Sequence, residues 1–484
     1  MATDTLKWFA RGGSHLNYYM WWGGYNRGRA SAAGIMNGYA TDAAVCPSGH
    51  PREPKFSHFQ ALHKAIHQIA PVLLNNPTAM KHSIDIPEMD EKEQWIYSGN
   101  QRMFVYRSNQ THEPQVKEVV FIENDARESA VVKIAMEGGE EEAAVILKMS
   151  PQSAVLMVDG TVKFDSFAID SKAMSYRRVI EPAPVKILGW SSCSEPIGMS
   201  KKQMELVLNS TRPLEQTALN IGARVNSDYA WYETHIHLED SVDDATVFVE
   251  TQIGSAMVLF IDGNYIGEAY THQHAEGNTT FLFQVGHLKH GRHKLAFLSE
   301  SLGYHNLIGR WGAKTGAKIK GITGDVLLAS QRPANISLVD GRVWKSHPGL
   351  NGHEKGYCRD VASDRNNSLP HPTWSSAMFN TPKYDPTENG LYLNITQGRG
   401  HLWLNSHDLG RFWNITRGDT DKYSQQFYFL PPDLLEADGS VNKIVFFDAL
   451  GSDLRTSTTL ILSHLEPTNS PNFKDQIDFE GACI

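Results

Sequence analysis

The chain of 484 residues is long enough for three or four domains of ordinary size. With 41% hydrophobic and 20% charged residues its composition is globular, and no run of 18 apolar residues could cross a membrane. A formal net charge of −9 argues against nucleic acid or an anionic membrane as a partner.

The N-terminal stretch MATDTLKWFARGGSH has no apolar core segment, so no signal peptide is visible in it. Residues 16–22 (LNYYMWW) form a continuous apolar and aromatic run closed by Gly23 and Gly24. Such a run predicts a buried strand of the kind parallel sheets use. After a Gly- and Ala-rich loop, Pro54 opens a helix, where its missing N–H costs nothing. Phe59, Leu62, Ile66, Ile69 and Leu73 recur on it at helical spacing and define one buried face. His58, His63 and His67 share this helix. Without a third ligand or an HExxH pair they are expected to face solvent, not to hold a metal. Strand, loop and helix make one β/α unit, and a barrel needs eight.

From residue 78 onward the hydrophobic period changes to two. Residues 117–121, 130–136, 143–148 and 154–159 predict short strands, with turns at Gly138-Gly139 and Asp159-Gly160. The acidic run 140–142 reads as a solvated hairpin tip. Two larger β domains follow, and they repeat each other. LFIDGNYIG (259–267) matches LWLNSHDLG (402–410), and Trp231 stands to Trp374 at the same offset. FLF (281–283) and KLAF (294–297) match FYF (427–429) and KIVF (443–446) in the same order. Duplication of a β-sandwich accounts for this. His272 and His274 flank a loop of the first copy and are expected to be solvated.

Cys46, Cys193, Cys358 and Cys483 stand far apart with no CxxC or CxxH spacing, so no zinc site is expected and their pairing stays open. Seven Asn-x-Ser/Thr sequons, at Asn109, Asn209, Asn278, Asn335, Asn366, Asn394 and Asn414, hint at a secretory, lysosomal or vacuolar route. The 11 Trp, 17 Tyr and 20 Phe suit large sheet cores and also suit stacking on sugar rings; packing is expected to claim most of them.

Several separate motifs resemble one family. Residues 17–29 (NYYMWWGGYNRGR) are similar to the last barrel strand of glycoside hydrolase family 35 β-galactosidases. REPKFSHF (52–59) and LHKAI (62–66) resemble the helix that follows that strand. SDYAWY (227–232), GHLWLN (400–405) and LGRFW (409–413) resemble the openings and signature of the family's sandwiches. The loop 39–49 departs from the family's Tyr-Asp-Tyr-Asp-Ala-Pro pattern: Tyr39 and Asp42 persist, but the second Tyr is Thr41. Tyr25 and Arg27 also replace the usual Thr and Phe after Gly-Gly.

The resemblance implies a mainly β chain with four parts. These are a remnant of the last β/α unit of a TIM barrel (1–77), a small antiparallel β domain (78–185) and two jelly-roll β-sandwiches (186–332 and 333–484). It also implies a retaining hydrolase acting on terminal β-linked galactose. Such enzymes need one carboxyl group as acid/base and a second as nucleophile, about 5–5.5 Å apart and in different environments. In the family both are glutamates on earlier barrel strands, and no glutamate precedes Glu53 here. Glu53, Glu88 and Glu91 read as surface charges or helix N-terminal acids. No catalytic residue is therefore assigned, and the chain alone is expected to be inactive. The resemblance suggests Tyr19 as a wall of a sugar site, followed by Trp21, Asn26, Tyr39 and Asp42; core packing or turn geometry explains Trp21, Trp22 and Asn26 equally well. The expected partners are a galactose-containing glycan and an N-terminal barrel-completing chain; no cofactor or metal is expected. One consequence of a missing barrel is exposed apolar surface at residues 16–22 and on the helix face led by Phe59. The alternative is a non-catalytic carbohydrate-binding or scaffolding protein built from the two sandwiches.

Overall fold

A computed structural model of the chain describes residues 1–31, 37–39, 42–75, 80–82, 101–108, 115–135, 144–167, 176–199, 207–271, 278–303, 319–330, 335–352, 371–415 and 425–467. Glu88, Glu91, the turn at 138–139, the acidic run 140–142, His272 and His274 lie outside the described residues. The chain is mainly β and divides into two compact units. The first comprises Met1–Gly23, Asp42–Val179 and His464–Cys483; the second comprises Gly24–Thr41, Ile180–Ser463 and Ile484.

The first unit is built on a five-stranded antiparallel sheet. Its order is Met80–His82, Gln101–Arg107, Glu118–Asn124, Ser153–Val158, Thr161–Asp165. The helix Lys55–Asn75 forms where the periodicity places it, and a second helix spans Ala2–Ala10. Their apolar residues Leu6, Ala10, Phe59, Leu62 and Ile69 share one core with Phe104, Val119, Phe121 and Leu156 of the sheet. On the opposite face Val120, Ile122, Val155 and Met157 meet Val132, Ile134 and Met149 of a hairpin, Ala130–Ala135 with Ala144–Met149. Central strands covered on both faces read as unbroken apolar runs, as residues 153–158 do. Asp159 (φ 47°) and Gly160 (φ 73°) close a two-residue left-handed turn between Val158 and Thr161. Glu53 caps the helix start: its carboxylate accepts Ser57 N (3.1 Å) and Ser57 Oγ (2.7 Å).

Residues 16–22 do not form the expected strand. Trp22 makes one isolated bridge to Val45, and the rest is turn and extended loop. A strand needs a neighbour to take its N–H and C=O groups, and among the described residues no strand runs beside this segment. The apolar residues go elsewhere: Tyr18 and Trp21 pack edge-on against Phe59, at centroid distances of 5.3 and 5.7 Å. The segment still exposes Tyr19 (80%) and Trp22 (55%), as expected, whereas the Phe59 face is covered and Phe59 is only 2% exposed.

The second unit holds two β-sandwiches. In the first, a six-stranded sheet runs Leu208–Ser210, Trp344–Pro348, Tyr229–Leu238, Gly291–Ser301, Ser255–Ile261, Asn264–Tyr270. Its partner sheet runs Asn278–Leu288, Val242–Gln252, Val326–Ala329, Ile336–Ser337. In the second, the sheets run His407–Asn414, Gly398–Leu404, Val441–Asp448, Thr373–Asn380, Leu188–Ser194 and Phe427–Phe429, Gly390–Ile395, Thr458–Pro467, Tyr176–Pro182. Strands equated by the sequence repeat occupy equivalent places. The repeat extends to local geometry. Asp262-Gly263 and Asn405-Ser406 both turn with positive φ (53° and 83°; 47° and 71°), and each hairpin carries one register shift, at 259/260 and 402/403. Gly400 lies so close to the neighbouring strand that an added Cβ would sit 1.7 Å from the Phe447 carbonyl oxygen. Leu188–Ser194 precedes the first sandwich in the chain but pairs in the second, Cys193 opposite Trp374.

Candidate functional site

Of the residues expected to line a sugar site, Tyr19, Trp21 and Asp42 belong to the first unit, Asn26 and Tyr39 to the second. Tyr19 points to solvent, and its neighbour Tyr18 turns inward, 3.0 Å from His63 Nε2 and 3.3 Å from Thr5 Oγ1. Trp21 lies in the same cluster against His63 (5.5 Å) and Phe59, so its ring serves packing. Asp42 is exposed, and its carbonyl accepts a hydrogen bond from Lys55. Asn26 and Tyr39 are brought together by a short ladder, Asn26 N to Asn37 O (2.7 Å) and Tyr39 N to Gly24 O (3.1 Å).

Two of the helix histidines depart from expectation. His58 is buried and packs with its ring tilted against Phe164 (4.7 Å, 40°); burial lowers its imidazole below the usual range. His63 carries the bond to Tyr18. Both sit on the stripe that meets the core, which outweighs their polarity once an aromatic or a hydroxyl is at hand. His67 faces solvent.

Tyr25, Ser31 and Asn37 contact the second sandwich or one another. Tyr25 stacks on Phe429 (5.7 Å, 20°), and Asn37 Nδ2 donates to the carbonyls of Leu409 (3.1 Å) and Arg411 (2.7 Å). Ser31 Oγ donates to Asn37 Oδ1 (3.1 Å), which fixes the amide. Gly410 (φ 101°) makes room, since a Cβ there would meet Asn37 at 3.0 Å. A cleft opens here, walled by Tyr25, Arg27, Asn37, Tyr428, Phe429 and Pro431, with a cavity of about 10 Å³. That is room for about one water molecule.

The charged groups sequence reasoning missed are buried where the sandwiches join. Glu195 accepts four hydrogen bonds: Trp231 Nε1 (3.1 Å) and Asn351 N (2.6 Å) on Oε1, Trp374 Nε1 (2.6 Å) and Gly352 N (2.9 Å) on Oε2. The two repeat-related tryptophans thus share one carboxylate. Burial pushes this carboxyl above the usual range and the four donors work against that push. Nearby, Arg399 is fully buried and pairs with Glu268 (2.8 Å) and Glu300 (3.1 Å), while Arg29 pairs with Asp228 (2.6 Å). Glu268 and Glu300 are two carboxylates on one guanidinium, but at 5% and 3% exposure they present nothing to a substrate. Cys46 and Cys193 are each disulfide-bonded. Among the described residues no cluster of His, Cys, Asp or Glu could hold a metal ion.

Family models match both sandwiches. Residues 189–305 match the β-galactosidase second all-β domain, and residues 372–442 match the β-galactosidase galactose-binding domain. β-Galactosidase 11 of Arabidopsis thaliana is 24% identical over 93% of this chain and 49% of its own length. β-Galactosidase 8 of the same plant is 25% identical over 94% of this chain and 53% of its own length. The chain is similar to these β-galactosidases over almost all of its own length. It spans about half the length of these curated relatives. The two matched stretches contain Glu195, Glu268, Glu300, the repeat tryptophans and Arg399, whereas Asn351, Gly352 and Arg29 lie outside them. Among solved structures, an α-L-rhamnosidase of Streptomyces avermitilis covers 76% of the chain at 12% identity and a TM-score of 0.18.

Proposed function

We propose that these 484 residues supply the β scaffold of an enzyme that hydrolyses terminal β-linked galactose with retention, and that its two catalytic carboxylates come from a barrel-bearing polypeptide outside them. The observation that carries this reading is the contrast between near-complete alignment to β-galactosidases and the lack of any glutamate before Glu53. Glu195, Glu268 and Glu300 give no substitute pair, because their side chains are enclosed and already bonded. A retaining enzyme forms a covalent glycosyl intermediate, so a 2-fluoro-galactoside that traps it adds a fixed mass to the polypeptide carrying the nucleophile. The expected label falls on an added barrel-bearing segment and not on this chain. A label on any residue of the chain itself refutes the proposal.

A second reading is favoured by the match of residues 372–442 to a galactose-binding domain: the sandwiches bind galactose-containing glycans without hydrolysing them. Isothermal titration with galactose and a neutral galactan separates the two. Heat of binding with no turnover in any combination of chains supports the second reading; its absence removes that reading.

A further inference from the structure

The face of the six-stranded sheet that turns away from its sandwich core carries a row of cations. Along Tyr229–Leu238 the buried Thr234, Ile236 and Leu238 alternate with Glu233, His235 and His237. The neighbouring strands place Lys294 opposite His235, Arg292 opposite His237 and Lys345 opposite Glu233. Tyr229 and Trp231, at the other end of this face, are covered by Trp374 and Phe447 of the second sandwich. The end bearing the row is open: His237 and Arg292 are exposed, and Val343 beside them is 64% exposed.

Among the described residues one acid belongs to the row, and it is occupied. Glu233 is nearly buried, accepts Met199 N (3.1 Å) and lies 3.8 Å from Lys294. Asp262, at the margin, is taken by His293 and by the backbone N–H of Lys294. His235 feels the imbalance: burial lowers its imidazole below the usual range, and Arg292, Lys345 and Lys294 push the same way against Glu233. The chain carries a net charge of −9, yet among the described residues Glu233 is the one carboxylate within the row.

We propose that this face binds an acidic glycan, with uronate carboxylates seated on Arg292, Lys294 and Lys345 and the two imidazoles offering N–H donors. The row spans about 13 Å along the strands and about 10 Å across three of them. It has no concavity, so a small anion would touch one or two groups, whereas a ribbon of repeating carboxylates engages all three cations at once. The choice of a glycan among polyanions rests on the β-galactosidase reading.

The test is affinity electrophoresis of the full chain at low salt through gels containing polygalacturonate, its fully methyl-esterified form, or an oligonucleotide of matched charge. Retardation by polygalacturonate is expected, with none by the ester, and Arg292→Ser with Lys345→Ser should weaken it about tenfold. An unchanged thermal midpoint shows that this double variant is folded. No retardation, equal retardation of the double variant, or equal retardation by the ester or the oligonucleotide overturns the proposal. The assay needs no turnover. Failure of the chain co-expressed with a barrel-bearing segment to hydrolyse galactosides, with retardation intact, counts against the catalytic reading alone, and the converse counts against the anionic site alone.

Discussion

Replacing Glu195 by alanine should be among the most damaging single changes in the second unit. The side chain is almost wholly buried and satisfies four donors, two of them the indoles of Trp231 and Trp374. Each buried donor left without an acceptor costs about 1–3 kcal/mol, so the four together set a range of about 4–12 kcal/mol. Water entering the vacated space would recover part of this, which places the expected loss near the lower end, about 4–6 kcal/mol. That is large for a point substitution. Glu195→Gln keeps the shape and one oxygen but turns its NH₂ toward two donors, and should fall between alanine and the parent. Urea unfolding followed by tryptophan fluorescence is the assay, since two reporting indoles touch the altered site. A midpoint change at constant slope gives the loss directly. If Glu195→Ala unfolds within about 1 kcal/mol of the parent, the carboxylate does not hold the sandwiches as described.

Arg399→Ala should cost about 3–5 kcal/mol, because it leaves Glu268 and Glu300 buried without their cation; denaturant unfolding checks it, and a near-neutral result contradicts it. Gly400→Ala should fail to accumulate as folded protein, since its Cβ would overlap the Phe447 carbonyl; a soluble variant with a parental thermal midpoint would refute the close approach. His293 and Asp262 form a pH-dependent pair. Burial alone would lower His293, but Asp262 (2.7 Å) and the Lys289 carbonyl raise it above the usual imidazole value; burial would raise Asp262, but His293 and the Lys294 N–H hold it below the usual carboxylate range. Their stabilisation is therefore complete between the unfolded values of about 3.9 and 6.5. It fades as pH rises through the folded His293 value or falls through that of Asp262. Imidazole titration by NMR should show His293 dropping in Asp262→Asn, and no drop would exclude the pair.

The sandwiches were legible because their signals are local and repeated. Two-residue turns with left-handed backbone, at Asp262-Gly263 and Asn405-Ser406, and alternating strands write themselves into short stretches of sequence. The helix at Lys55–Asn75 was readable for the same reason, down to the acid at its start. Residues 16–22 misled because an apolar run states only that burial is wanted, and the partner decides whether strand or loop supplies it. The same lack of partner information set His58 and His63 in solvent. Glu195 and Arg399 were invisible for a related reason: their meaning lies in pairings across 36 to 179 and 131 positions. The repeat pointed at Trp231 and Trp374, but nothing local indicates that a single carboxylate serves both.

The account depends most on where the catalytic carboxylates reside. Hydrolysis of a chromogenic β-galactoside by the purified chain, measured alone and after co-expression with a barrel-bearing β-galactosidase segment, tests this directly. No turnover alone and turnover in the co-expressed complex is the expected result. Sustained hydrolysis by the 484-residue chain alone, surviving repurification, would contradict it.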